Sequence, residues 1–195
     1  MVAKPSPRSG NLREACIAEA FRIIEDAGLE ALSLREVARR LGVSHQAPYK
    51  HFPSRDHIVA EILAQCFDEF AAFLDRRPTG KTPHDDLRGM GMRYMAYARQ
   101  HPVKYRLMFN TPMPDVAEHP GMMRNAQRAF ALLRDRLATM PLRAAGPPHR
   151  SEASLDAMFV WSTLHGLASI LQSDTLQTLG MSDRDLQQAV TRCFA

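Results

Sequence analysis

Apolar residues recur every three or four positions along most of the chain, and this spacing predicts helices nearly throughout. The first predicted helix carries on one face Leu12, Cys16, Ile17, Ala20, Phe21 and Ile24. Gly28 is placed to end this helix with the left-handed conformation of a C-terminal cap. No run of residues indicates a strand, so we expect an all-α fold.

Serines begin the next predicted helices. Ser33 and Glu36 have the spacing of a capping box, in which each side chain accepts a hydrogen bond from the other residue's backbone amide. Gly42 ends that short helix, and Ser44 begins another after a short break. Two short helices joined by a tight turn that contains glycine have the helix-turn-helix arrangement, whose second helix lies in the major groove of DNA.

Ser54 caps a much longer helix. Its apolar positions are Ile58, Val59, Ile62, Leu63, Cys66, Phe67, Phe70 and Leu74. This stripe is too long for a three-helix domain alone, so its far half should belong to a second core. Further helices are predicted over about 84–100, 102–109 and 122–140, and from Ser151 and Ser182. We therefore expect a helix-turn-helix domain over residues 1–56 and a larger helical bundle over residues 57–195.

The net charge of +4 is concentrated in one short segment. Residues 31–55 contain one acidic residue, Glu36, and these basic residues: Arg35, Arg39, Arg40, Lys50 and Arg55. Elsewhere the 20 basic and 20 acidic residues cancel. A local basic patch indicates a polyanionic partner, although a solvated helix face would carry the same charge.

The composition excludes several classes of protein. With 195 residues, of which 45% are hydrophobic, the chain can bury a core and is too apolar to be disordered. Cys16, Cys66 and Cys193 are too far apart for a disulfide framework or a zinc site, and they suit apolar filling in a reducing compartment. No run approaches the roughly 18 apolar residues of a membrane span, and the N-terminal residues do not resemble a signal peptide. We expect a cytoplasmic protein with no membrane partner.

The usual enzyme motifs are also missing. We find no Gly-rich phosphate loop, no H-E-x-x-H, no G-x-S-x-G and no histidine pair at metal-ligand spacing. We therefore expect no catalytic residue, no metal and no cofactor. An all-helical enzyme remains an alternative.

Residues 44–51 carry the chemistry expected of a DNA-reading helix. Gln46 can form paired hydrogen bonds with adenine, and Ser44 and His45 can donate to base edges or to phosphate. The residues suited to the phosphate backbone are Tyr49, Lys50 and His51. The simpler alternatives are that Tyr49 packs against the first helix and that His51 is an ordinary surface histidine.

The order of residues in this region resembles the N-terminal domain of TetR-family transcriptional regulators. The similar stretch within residues 12–63 is AFRIIEDAGLEALSLREVARRLGVSHQAPYKHFPSRDHIVAEIL. The resemblance implies phosphate contacts at Ser33, Tyr49, His51 and Arg55. It implies base-edge contacts at Ser44, His45, Gln46 and Ala47, and a core position for Phe52.

Pro48 departs from the usual TetR-family pattern, which has a helix-compatible apolar residue at this position. A proline in the first turns of a helix lacks one amide hydrogen bond. We expect a recognition helix over about 44–51 with a slightly remodelled first turn. That change affects how His45 and Gln46 are presented to DNA.

Two later stretches resemble the WHG-type C-terminal domain of certain TetR-family regulators. They are YMAYARQHPVKYRLMF at residues 94–109 and WSTLHGL at residues 161–167. Regulators with this domain also tend to carry Ala-Pro-Tyr in the recognition helix, as in Ala47-Pro48-Tyr49. The resemblance implies a helical bundle that binds a ligand and dimerises.

Methionine and aromatic residues are abundant in the C-terminal part, and they suit an adaptable apolar cavity. Our candidates for its wall are Met90, Tyr94, Met95, Tyr105, Met108, Phe109, Phe130, Phe159, Trp161 and His165. Ordinary core packing is the alternative for each, above all for His165, which lies on an apolar helix. We expect a small apolar or aromatic effector of unknown identity.

The resemblance also implies a homodimer in which the last two long helices, about 151–173 and 182–194, form a four-helix contact. Our candidates for that contact are Leu155, Leu171, Leu186 and Val190. Gly166 in mid-helix costs about 1 kcal/mol relative to alanine, which suggests close approach of another helix. A two-fold dimer suits a palindromic operator in double-stranded DNA.

These observations favour a homodimeric repressor that a small effector releases from its operator. The main alternative is a DNA-binding dimer with no effector, and a fully packed C-terminal core would favour it. A cavity of several hundred Å³ would favour the effector.

Overall fold

The computed structural model describes residues 9–76, 80–138 and 150–192, and within those ranges it contains helices and turns but no strand. The α-helices are α1 (Ser9–Ala27), α2 (Leu34–Leu41), α3 (Arg55–Asp75), α4 (Pro83–Gln100), α5 (Pro102–Phe109), α6 (Pro120–Leu137), α7 (Arg150–Leu171), α8 (Thr175–Thr178) and α9 (Asp183–Arg192). Leu29–Ala31 and Pro48–Lys50 form short 3₁₀ helices. The expected all-α fold is confirmed.

The beginning of α2 follows the sequence pattern only in part. The Ser33 hydroxyl accepts a hydrogen bond from the Glu36 amide at 3.1 Å, as expected of a helix cap. The Glu36 carboxylate does not complete the predicted capping box. It accepts hydrogen bonds from Arg39 and Arg40 on the same helix instead, because guanidinium groups three and four residues away are within reach.

Two glycines end helices with backbone angles that other residues rarely adopt. Gly28 has φ +84° and ψ 168°, and its amide donates to the Ile24 carbonyl at 2.9 Å. Gly42 has φ +67° and ψ 29° and caps the end of α2. Gly42 is therefore in the left-handed helical region, whereas the extended ψ of Gly28 corrects the left-handed cap predicted there. Positive φ still places both glycines in regions where a Cβ is disfavoured.

The helix α3 belongs to both parts of the molecule. We call residues 12–54 the headpiece and α3 to α9 the bundle. Every predicted apolar position of α3 is buried, and the helix packs against α1 as well as against α4, α5 and α6. The buried side chains form one continuous cluster that extends from Leu12 to Val190. A single rigid element therefore joins the headpiece core to the bundle core.

Several predicted boundaries change. The helix α6 ends at Leu137 rather than near residue 140, and α8 was not predicted. The predicted loop over 141–148 and Cys193 lie outside the described residues. Cys16 and Cys66 are buried free thiols, and burial raises the pKa of Cys66 to about 12, which fits apolar filling. None of the helices in the described ranges has the length and apolarity needed to cross a membrane.

Candidate functional site

The predicted recognition helix is a short 3₁₀ helix rather than an α-helix. Pro48 has no amide hydrogen, so an α-helical bond to the Ser44 carbonyl cannot form. The Ala47 amide donates to the Ser44 carbonyl at 3.0 Å, and the His51 amide donates to the Pro48 carbonyl at 2.9 Å. Both bonds span three residues, which is the 3₁₀ pattern. The helix predicted over 44–51 is therefore corrected to a turn followed by Pro48–Lys50.

This turn presents polar side chains to solvent. The exposed side chains are those of Ser44, His45, Gln46, Tyr49 and Lys50, and His51 is half-buried. Ala47 is half-buried against the core, so only part of its side chain is left for the predicted contact with base edges, which stays a prediction. Pro48 and Phe52 are buried, and they anchor the turn from beneath.

Much of the basic excess is compensated within the headpiece. Guanidinium nitrogens of Arg39 and Arg40 lie 2.6 Å and 3.1 Å from the Glu36 carboxylate. Arg40 also lies 2.8 Å from the Asp26 carboxylate. Hydrogen bonds from Arg39 and Arg40 lower the pKa of Glu36 to about 2. These two arginines therefore add less outward positive charge than a count of residues indicates.

Arg55 is also used within the protein. Its Nη2 donates to the Leu29 carbonyl at 2.7 Å, and its Nε donates to the Leu32 carbonyl at 3.1 Å. These bonds tie the first turn of α3 to the connection between α1 and α2. This positioning role occupies Nε and Nη2 of Arg55, so the predicted phosphate contact, which would use Nη1, stays a prediction.

Arg35 and Lys50 are exposed, and they form no ion pair with any residue that the structure describes. Arg35 lies in the first turn of α2, where the helix dipole disfavours a cation. Sequence reasoning counted its charge and did not assign it to the DNA surface. The sequence feature that could have assigned Arg35 to the DNA surface is its position as a cation in the first turn of a helix, where the helix dipole does not favour it.

A cavity of about 690 Å³ lies within the bundle, and α3, α4, α6 and α7 form most of its wall. Of the predicted wall residues, the structure places at the cavity Met90, Tyr94, Phe109, Phe130 and Trp161. Sequence reasoning missed the contribution of α3, which supplies Phe67, Phe70 and Leu74. Their apolar spacing was recognised, but it was interpreted only as core packing.

Five predicted wall residues lie elsewhere. Met95, Tyr105 and Met108 are buried in the core outside the cavity wall, because their positions on α4 and α5 turn them toward other helices. Phe159 lies on the outer face of α7 with 72% of its surface exposed. His165 is half-buried and hydrogen-bonded, as the core alternative describes.

Tyr94, Tyr105 and His165 connect three helices beside the cavity. The hydroxyl groups of Tyr94 and Tyr105 are 3.0 Å apart, and the Tyr105 hydroxyl lies 2.7 Å from Nδ1 of His165. Burial raises the pKa of Tyr105 to about 12 and lowers the pKa of His165 below its ordinary value. At neutral pH the tyrosines are therefore protonated and the neutral imidazole can accept at Nδ1.

The candidate dimer residues divide into two groups. Leu186 and Val190 are buried in the inner face of α9, so their predicted contact with a second copy is corrected to core packing. Leu155 is exposed on α7, and Leu171 is half-buried. A Cβ added at Gly166 would meet nothing within 4 Å. No helix of the described chain approaches Gly166 closely enough to require a glycine.

The helix α6 connects the cavity wall to α3. Its Asn125 side chain donates to the Ala64 carbonyl at 2.9 Å. The rings of His57 and His119 lie 4.8 Å apart in an edge-to-face arrangement. His57 belongs to the first turn of α3, and His119 immediately precedes α6. These contacts connect α6 to the middle of α3 at Ala64 and to the first turn of α3, next to the headpiece, at His57.

Two family models match the chain. Residues 17–62 match the model described as bacterial regulatory proteins of the tetR family. Residues 87–194 match the model described as the tetracyclin repressor-like C-terminal domain. Together they cover the exposed turn of the headpiece, the start of α3 and the bundle from residue 87 onward, and residues 63–86 lie between the two matches.

Individual known proteins are also similar to this chain in sequence or in structure. An uncharacterized HTH-type transcriptional regulator of Mycobacterium tuberculosis is 26% identical over 165 residues, which are 85% of this chain and 71% of that protein. Tetracycline repressor protein class C of Escherichia coli is 38% identical over 74 residues, which are 38% of this chain and 31% of the repressor. A protein with unknown function from Rhodococcus sp. RHA1 has a similar fold, with a TM-score of 0.78, 23% identity and coverage of 98% of this chain and 97% of its own.

Proposed function

The chain belongs to the TetR family of DNA-binding transcriptional regulators, and on this premise we propose that it is a homodimeric repressor released from a palindromic operator by a small apolar or aromatic effector. The proposal rests on one observation. An exposed polar turn suited to DNA and a cavity of about 690 Å³ occur in one chain, and α3 joins them. Because DNA is the partner, we expect the protein to act in the cytoplasm.

At the operator, the exposed turn enters the major groove. Gln46 reads an adenine through paired hydrogen bonds, and Ser44 and His45 contact neighbouring base edges or phosphates. The residues that hold the phosphate backbone are Ser33, Arg35, Tyr49, Lys50 and His51. All of them except the half-buried His51 are exposed, and this exposure and the unpaired charges of Arg35 and Lys50 support the assignment.

The outer face of α7 provides the contact with a second copy. Leu155 and Phe159 are exposed apolar residues one turn apart, with 70% and 72% of their surfaces accessible. Gly166 continues the same face two turns later, where open space allows close approach of a partner helix. Leu171 lies on another side of α7, where it packs against the core, so the proposed contact does not include it. Two copies bring two recognition turns to successive major grooves, which combines two weak interactions.

The effector acts through α3 and α6. The apolar wall contributed by Phe67 and Phe70 means that a bound molecule touches α3 directly. A movement of α6 reaches the start of α3 through the contact between His119 and His57. Either path changes the orientation of the headpiece. The effector releases DNA only if it binds the DNA-free conformation more tightly than the DNA-bound one.

A dimer without an effector is the competing proposal. It predicts a solid bundle core, whereas the cavity has the size of known small-molecule sites. The cavity therefore supports an effector-responsive regulator.

Selection of bound fragments from random double-stranded DNA tests the DNA-binding part. We expect a palindromic site, and Gln46→Ala should change the preference at one position of each half-site by about 1–3 kcal/mol. Gln177→Ala is the control, because Gln177 is exposed on α8, far along the chain from the turn. Failure to enrich any sequence, or an unchanged preference in the Gln46 variant, would contradict the assignment.

A further inference from the structure

The helix α6 contributes two adjacent stripes to the cavity wall. The apolar stripe consists of Ala126, Phe130 and Leu133. Beside it runs a polar stripe consisting of Arg124, Gln127, Arg128 and Arg134. Spacings of three and four residues place each set on one side of the helix. Most of the polar stripe is exposed, whereas Leu133 is buried, so the polar stripe lies at the mouth of the cavity.

One cation at the mouth, that of Arg124, is not paired with an acidic residue of the described chain. No Asp or Glu contributes to the cavity wall in the part of the chain that the structure describes. Arg128 pairs with Asp68, and Arg134 lies 2.8 Å from the carboxylate of Asp135. Arg124 forms no ion pair or hydrogen bond with a described residue. A negatively charged group at the mouth therefore finds a cation that is free to bind it.

The deeper wall has the opposite character. Aromatic rings dominate it, from Phe67, Phe70, Tyr94, Phe109, Phe130 and Trp161. The one hydroxyl among these rings, that of Tyr94, is hydrogen-bonded to Tyr105. A charged group placed here would lose its hydration and find no side chain of opposite charge beside it. An amphipathic ligand must therefore bind with its apolar part inside and its charge at the mouth.

We infer that the cavity takes an organic anion with an apolar body. The body lies among the aromatic rings, where ring edges and faces pack favourably. The carboxylate or similar acidic group lies at α6, where Arg124 binds it. The inference names the chemical class of the effector, and it rests on the proposed role of the cavity as the effector site.

Three probes with one ring system and different head groups test this inference on the full chain. They are naphthaleneacetate, naphthaleneethanol and naphthaleneethylammonium. Calorimetry measures affinity, and the fluorescence of Trp161, the one tryptophan of the chain, reports entry into the cavity. We expect the anion to bind about tenfold more tightly than the alcohol, because one charge-assisted hydrogen bond contributes a difference of that size. We expect the ammonium to bind most weakly. Decanoate and decanol repeat the comparison with an alkyl body and identify which apolar body the cavity prefers.

The variant Arg124→Gln should remove most of the preference for the anion and leave the affinity for the alcohol unchanged. Arg106→Gln is the control, because Arg106 is an exposed arginine outside the cavity wall. Equal affinities for anion and alcohol, absence of binding by every probe, or anion binding without a change in Trp161 fluorescence would each overturn the inference.

Operator binding is measured separately, so the two proposals fail in different ways. Operator binding together with a preference for the alcohol would support the regulator proposal and contradict the inferred ligand class. A preference for the anion without DNA binding would support the ligand class and contradict the regulator proposal.

Discussion

The headpiece and the bundle use polar side chains in opposite ways. In the headpiece the residues proposed to meet DNA are exposed, apart from the half-buried His51, and short-range bonds around Ser33 and Pro48 position them. In the bundle Tyr94, Tyr105 and His165 face inward and satisfy one another across three helices. The DNA surface therefore depends on local backbone geometry, whereas the cavity depends on contacts between residues far apart in the chain.

The same contrast explains where counting residues misleads. Counting cations overstates the positive surface of the headpiece, because Arg39, Arg40 and Arg55 bond within the protein. Counting aromatic residues overstates the cavity wall, because Tyr105 is in the core and Phe159 is on the surface. In the headpiece, the cations that are proposed to meet DNA are those without a partner in the protein. In the bundle, the aromatic rings that are proposed to meet the effector are those that line the cavity.

The largest expected effect tests the dependence of the bundle on packing. Phe70 is buried and contacts the rings of Tyr94, Tyr97 and Phe109. Phe70→Ala should lower the free energy of unfolding by about 3–5 kcal/mol, because it removes these contacts and enlarges the cavity. Urea denaturation provides the measurement. Tyr49→Ala in the exposed turn should change stability by no more than about 0.5 kcal/mol, and similar losses in the two variants would break the contrast.

A smaller effect tests the dependence of the headpiece on backbone geometry. Gly28→Ala should destabilise the protein by about 1–3 kcal/mol, because alanine is strained at φ +84° and ψ 168°. Nothing lies within 4 Å of the added Cβ, so crowding is not the cause. Gly121→Ala in α6 is the control, since this helical position has room for a Cβ and should be neutral or slightly stabilising. Thermal unfolding of the two variants distinguishes them.

The division between free and paired arginines is tested by DNA binding. Arg35→Gln should weaken binding to all sequences and reduce the slope of log affinity against log salt by about one per protomer. Arg39→Gln should change the slope far less, because Arg39 is bonded to Glu36. Fluorescence anisotropy over a series of salt concentrations gives both slopes. Equal slopes in the two variants would show that ion pairing within the headpiece does not decide which cations meet DNA.

The smallest effect concerns pH. Burial keeps the pKa of His165 below its ordinary value of 6.5 in the folded chain. As the pH falls below 6.5, the unfolded chain therefore binds the proton first, and the stability present above that pH is progressively lost. His165→Gln should flatten the dependence of the urea midpoint on pH over this range. An unchanged slope in the variant would mean that His165 does not contribute to it.

Several features were predictable because short-range chemistry sets them. The Ser33 cap, the ends of helices at Gly28 and Gly42, and the buried stripe of α3 each follow from residues a few positions apart. A remodelled first turn at Pro48 was expected, but the replacement of the whole α-helix by a 3₁₀ turn was not. The loss of one amide hydrogen bond allows either a distorted α-helix or a 3₁₀ turn. Packing of the ring into the core selects the turn.

The amino-acid sequence by itself determined that this chain is helical, that its N-terminal part has the order of a TetR-family headpiece, and that one long apolar helix joins two cores. Periodicity and caps act over a few residues, so they can be read along the chain. Only the tertiary structure decided which arginines remain unpaired, which aromatic rings line the cavity, and which face of α9 is buried. Those outcomes depend on the rotation of each helix against its neighbours, and that rotation is set by packing between residues distant in the chain.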